Sequence, residues 1–200
     1  MSLKQDLNRA IGERALLDSR FYQAWSAGEL PKSALAHYGE EYGKFIKMLP
    51  KGWETLDDTE TVEEEIEHAE LWDVFVSSLG MPAAAESVAA VEDLIRISNR
   101  LFSTPVTALG AMYAFEAQQP DTAASKLDGL RKYYPVSADG EAYFEVHAVN
   151  HHESEKLLSA IAELSPEDQP VAIEACREMS QALWDALEGI YDASGAGSLN

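Results

Sequence analysis

The sequence predicts an all-α fold, and three observations carry that expectation. Apolar residues recur three and four positions apart, which is the period of a helix with one buried face. Pro and Gly fall at intervals that punctuate those runs. Almost no stretch shows the alternation of a half-buried strand. A chain of 200 residues with 46% hydrophobic content can bury one well-packed core, and no Pro/Gly/Ser-rich linker divides it. Residues 1–193 are therefore expected to form one helical domain, with 194–200 as a flexible C-terminal tail.

The elements follow in order. A first amphipathic helix is expected from Leu3 to about Asp18, then a shorter aromatic one over Arg20 to Ala27, closed by Gly28. Pro31 marks the next start, and the run 34–49 sets Leu35, Tyr38, Tyr42, Phe45 and Ile46 on one stripe before Pro50-Lys-Gly breaks it. A strongly acidic helix from Asp58 to Leu79 stops at Gly80 and Pro82, and another is expected over 83–101. Thr104-Pro105 opens a short apolar helix to about Gln118, Pro120 opens one to Tyr133, and Gly140 precedes one reaching Leu164. Ser165-Pro166-Glu167-Asp168 combines a capping Ser, a first-turn Pro and acids that suit the helix dipole; the last helix then runs to about Tyr191.

A formal charge of −20 excludes a phosphate-neutralising partner, so neither nucleic acid nor an anionic membrane surface is expected. Much of this acid serves solubility, and part of it can be carboxylate held inward for a metal. The single cysteine, Cys176, rules out an intramolecular disulfide framework and fits a reducing compartment. The opening Met1-Ser-Leu-Lys-Gln-Asp lacks a signal-peptide core, and no run reaches the roughly 18 apolar residues of a membrane span. The expected compartment is the cytoplasm.

Three helices place ionisable residues inside apolar stripes, where a charge costs several kcal/mol unless it is paired or bound to metal. In the acidic helix the stripe through Trp72, Phe75 and Leu79 runs back to His68 and then to Glu65 or Glu64, and Glu65-x-x-His68 spacing puts both side chains on one face. In the helix from Pro105 the only acid is Glu116, beside Phe115. In the late helix the stripe Phe144, His147, His151, Ser154, Leu158 and Ile161 sets His147 and His151 one turn apart and inward. Neutral imidazoles with carboxylates suit iron, manganese or zinc, and inward Glu and Glu-x-x-His pairs are the recurring recipe for dinuclear sites in helix bundles.

These residues sit in blocks that resemble the haem-oxygenase-like superfamily of TenA, PqqC and CADD, with the CADD-like di-iron oxidases the most similar. The resemblance rests on Phe21-Tyr22-Gln-Ala-Trp25 with Gly28-Glu-Leu30, on Tyr38-Gly-Glu-Glu-Tyr42 with Phe45, and on His68-Ala-Glu-Leu-Trp72 with Phe75. Its most specific part is Ala111-Met-Tyr-Ala-Phe-Glu116-Ala-Gln-Gln-Pro120, continuing to Lys126-Leu-Asp-Gly129 and to Tyr143-Phe-x-Val-His147. It implies a bundle of seven to eight helices that holds iron, two ions or one with manganese also compatible, and activates dioxygen. The oxidised molecule is then a small substrate or a side chain of the protein itself. In the CADD-like branch it implies para-aminobenzoate made from the protein's own tyrosine, with a lysine of the site involved; the matching positions are Tyr22 and Lys126, with Tyr42 a second candidate tyrosine. It also implies a homodimer. The expected metal ligands are Glu65, His68, Glu116, His147 and His151.

The chain departs from the family pattern at two places. A glutamate usually stands seven residues before the first His, and here that position is Thr61; the late helix usually reads H-x3-D-x2-H, and here it has His147, His151 and Ser154. Glu64 or Glu65, and His152 or Glu155, are the residues able to stand in. TenA-type hydrolysis is not expected, because Cys176 falls far along the chain in a helix that reads as packing. PqqC-type oxidation is not expected, for want of Arg in the matching helices. The rival expectations are a metal oxidase with a free amino-acid or fatty-acid substrate, and a metal-free member kept as a binding or interaction module.

Overall fold

The structure is a computed structural model that describes residues 2–12, 14–82 and 86–195. Among these it is all-α: α1 (Leu3–Gly12), a 3-10 turn (Leu16–Asp18), α2 (Arg20–Ala27), α3 (Lys32–Ile46), α4 (Leu49–Thr55), α5 (Thr59–Ser78), α6 (Ala89–Leu101), α7 (Pro105–Glu116), α8 (Gln119–Tyr133), α9 (Ala138–His147), α10 (His152–Glu163) and α11 (Gln169–Ala193). With α2 and α4 as short connectors, and α9 and α10 counted as the two pieces of one interrupted helix, the described bundle has eight main helices, as the family resemblance implies.

Several ends follow the capping chemistry of the sequence. Gly28 closes α2 with φ 75°, a left-handed conformation that glycine adopts without penalty. Asp58 caps α5 by accepting from Thr61 N–H, Thr104 caps α7 with Pro105 in its first turn, and Ser137 caps α9.

Four expectations are corrected. The first helix stops at Gly12, and 16–18 form a separate turn. Pro50 does not merely break a helix; it sits in the first turn of α4, where its missing N–H costs nothing. The helix expected over 83–101 begins at Ala89, while 83–85 lie outside the described residues, as do 196–200 of the expected tail. Finally, the late helix is broken at 148–151: the Asn150 side chain accepts from His152 N–H, competing with the helical ladder.

Long α11 lies along α7 and α6, while α5 packs on α9, α4 and α3, and α10 closes over α7. The approach of α7 to α11 is so close that a Cβ on Gly110 would lie 1.8 Å from the Ala172 carbonyl oxygen. The centre is aromatic, with Trp25, Tyr38, Trp72, Phe75, Tyr143 and Phe144 all at 1% exposure or less. Cys176 is fully buried in α11, and burial pushes its thiol up to about 12, far from a nucleophile's range.

Candidate metal centre

Four helices converge with their polar residues inward. On α5 the buried face runs Thr61, Glu65, His68, Trp72, Phe75, so one stripe changes from polar to aromatic halfway along. Glu116 is the last residue of α7, His147 the last of α9, and Glu153 lies in the first turn of α10. The α10 dipole favours a carboxylate at that end.

Two sets of ligand atoms result, each with its atoms within 4.8 Å of one another: Glu65, His68 and His147, and Glu65, Glu116 and Glu153. Glu65 belongs to both. Glu65, Glu116, His147 and Glu153 are each at least 98% buried. Glu65 Oε2, Glu116 Oε1 and Glu153 Oε1 have no hydrogen-bond partner. Native interiors rarely tolerate such orphaned acceptors, still less three that converge. A cation among them would satisfy all three, so the donor set fits a metal of the iron or manganese kind.

The imidazoles are oriented for the same task. His147 Nδ1 lies 2.6 Å from the Tyr143 carbonyl, to which it donates, leaving Nε2 as a free lone pair. Burial, with neighbouring His68, pushes His147 down to about 3, so it is neutral. The His68 and His147 rings meet edge to face at 4.3 Å. Burial opposes protonation of His68, but its 3.2 Å contact with Glu65, helped by the charges of Glu65 and Glu153, raises its pKa above the ordinary value. Burial first, and then the charges of Glu153 and Glu65, hold Glu116 well above the usual carboxylate range; burial and Glu65 raise Glu153 as well. A metal binding there would compete with the protons that this burial and mutual repulsion favour.

Beside this centre lies a second buried group. Lys126 is 3% exposed, and its Nζ stands 3.3 Å from Tyr22 Oη and 3.4 Å from Tyr38 Oη, which are 3.0 Å from each other. Among its contacts are phenols and ring faces, Phe144 included, and burial pushes the amine down to about 7. Tyr42 stacks on Tyr38 at 5.1 Å, and its own hydroxyl has no partner. Rings then lead onward: Tyr42 to Trp72 at 6.3 Å, Trp72 to Tyr143 at 4.9 Å, and Tyr143 to His147 at 4.2 Å.

Of the residues singled out in the sequence, Glu65, His68, Glu116 and His147 are brought together, and Tyr22, Tyr42 and Lys126 form the neighbouring group. His151 is not brought in. The break after α9 makes it the exposed N-cap of α10, where its carbonyl accepts from Ser154 Oγ and Glu155 N–H. Glu65 turns inward, while Glu64 is half-exposed and lies 3.6 Å from exposed His152; Glu155 is exposed. Thr61 is fully buried and receives Lys156 Nζ at 2.9 Å. Sequence reasoning missed Glu153, whose signal was its four-residue spacing from Leu157 and Ile161, all three buried. It also left Tyr38 out of the site, although Tyr38 lies one turn before Tyr42 on the same stripe.

Known proteins resemble this chain over most of its length. The haem-oxygenase-like family described as iron-containing redox enzymes matches residues 23–185. The 4-aminobenzoate synthase of Chlamydia pneumoniae is 31% identical, over 94% of each chain. Two solved structures share the fold: a domain of unknown function with a heme oxygenase-like fold from Shewanella denitrificans (TM-score 0.80, 16% identity, 98% of this chain and 94% of that one), and a CADD-like protein of unknown function from Nostoc punctiforme (TM-score 0.76, 18% identity, 99% and 96%). With a family match over most of its length and inward carboxylates and imidazoles that suit its metal, this chain belongs to the haem-oxygenase-like family of iron-containing redox enzymes.

Proposed function

We propose that the protein makes 4-aminobenzoate by oxidising one of its own tyrosines, using two iron ions held through Glu65, His68, His147, Glu116 and Glu153. The observation that carries this reading is the sharing of Glu65 between two ligand groups next to a buried lysine in contact with a tyrosine hydroxyl. Iron bound there supplies the dioxygen chemistry that oxidation of an aromatic ring requires. The chain's own residues do the rest. Tyr22 is the side chain consumed, and Lys126 is the amine source, part of it neutral near pH 7 and so able to act as a nucleophile. Tyr42, with Trp72 and Tyr143, connects that pair to the metal side through ring contacts. The close-packed aromatic shell keeps water from the reacting groups.

A second reading, a metal oxidase with a free small substrate, is favoured by one feature. A cavity of about 320 Å³ is lined by Trp53, Leu109, Lys156 and Leu157, and Leu157 lies one turn beyond Glu153. Mass spectrometry of iron-loaded protein after one exposure to oxygen and reductant separates the two. The expected result is altered mass at Tyr22 and Lys126 with at most one product per chain. An unaltered chain with repeated turnover of an added substrate establishes the second reading, and protein that binds no iron overturns both.

A further inference from the structure

A third set of ligand atoms lies outside the buried pair. Glu64, His152 and Glu153 offer atoms that are again within 4.8 Å of one another. Glu64 Oε2 is 3.6 Å from His152 Nε2, and the two side chains are 42% and 55% exposed. Glu153 is 2% exposed, carries the unpartnered Oε1, and is also a member of the middle group with Glu65 and Glu116. The three sets thus share members in sequence, Glu153 joining outer to middle and Glu65 joining middle to inner.

We propose that Glu64, His152 and Glu153 form an outer divalent-cation site through which iron enters the buried centre. This rests on reading that centre as an iron site. The inner ligands are almost wholly buried, so a hydrated cation reaching them directly would have to shed its water before meeting any replacement oxygen. A ladder of overlapping ligand sets lets the water be exchanged a few molecules at a time. One exposed imidazole with one half-exposed and one buried carboxylate suits a partly hydrated ferrous or manganous ion better than the all-oxygen environment preferred by calcium or magnesium.

Three local features support the same route. The break between α9 and α10 brings His152 to the surface, where its backbone N–H is held by the Asn150 side chain. The nearby cation Lys156 is turned toward Asp58 and Thr61, so it does not neutralise Glu64. The outward face of α5 bears Glu60, Glu63, Glu67 and Glu70, on a chain of net charge −20, and a field of that sign concentrates cations at the entrance.

The test adds ferrous iron without oxygen to the full-length apo chain, and follows how fast the iron becomes inaccessible to a ferrous-specific colorimetric chelator. The Glu64→Gln/His152→Asn double variant, altered only at solvent-facing positions, is expected to take up iron at least about tenfold more slowly, with the same final iron per chain and the same apo melting temperature. Glu167→Gln, which removes the same charge from an exposed position elsewhere, should match wild type. A double variant that loads at the wild-type rate overturns the entry site while leaving the metal centre standing. One that ends with fewer ions per chain makes the outer site a resident one and likewise overturns its entry role. Wild-type protein that takes up no iron overturns the entry site together with the centre it serves.

Discussion

Helix α7 belongs to two regions built on opposite principles. Along most of its length it packs against α11 through small apolar residues, with Gly110 set against the Ala172 carbonyl and Ala111, Ala114 and Ala175 all buried. At its final residue, Glu116, it faces two other carboxylates, and its oxygen lacks a partner. The first contact is favourable by itself, since apolar burial and close packing need no further component. The second is unfavourable until a cation arrives. Stability and chemistry are thus kept at different ends of one helix, and substitutions should separate them.

The sharpest separation should come from Gly110→Ala, whose methyl group would collide with a backbone oxygen that cannot rotate away. A loss of about 3 kcal/mol in denaturant unfolding is expected, with iron per folded chain unchanged. If that variant loses iron while staying stable, the two regions are coupled after all. Next, Glu65→Gln takes the charge and one of the two oxygens from the residue common to both ligand sets, leaving an amide that cannot serve both. Metal affinity should fall by more than about 100-fold in a chelator competition, since outer-shell partners alone are worth about 10–100-fold. The apo melting temperature should hold or rise. Smallest is Lys126→Met, in the buried group beside the centre. Burial pushes Lys126 down to about 7 in the folded chain from its ordinary 10.5, so between those pH values the unfolded chain binds the extra proton. The penalty is therefore full below pH 7 and fades toward 10.5. The Met variant should be more stable than wild type by about 2 kcal/mol at pH 6, with the gain vanishing near pH 10.5 in thermal melts across that range.

Periodicity and caps made most of the helices readable, because each depends on neighbours within a turn or two. Glu65, His68, Glu116 and His147 were readable for the same reason: a lone charge inside an apolar stripe is a local contradiction. His151 was misplaced because its assignment extended one helical phase across residues where Asn150 ends the helix. The break moved the inward position two residues on, to Glu153. The contact between Lys126 and Tyr22 spans more than one hundred residues of chain and has no local signature. It came from the family resemblance, and the packing of α2 against α8 provides its physical cause.

The interruption between α9 and α10 has a mechanical side. Continuous helices transmit force through their own hydrogen bonds, but here the ladder is cut, and one candidate ligand stands on each side of the cut, His147 before it and Glu153 after it. Two ions sharing Glu65, one held with His147 and the other with Glu153, would together tether the two sides of the gap. Occupancy of the site would then decide whether α10 behaves as a fixed wall of the bundle or as a flap on a hinge.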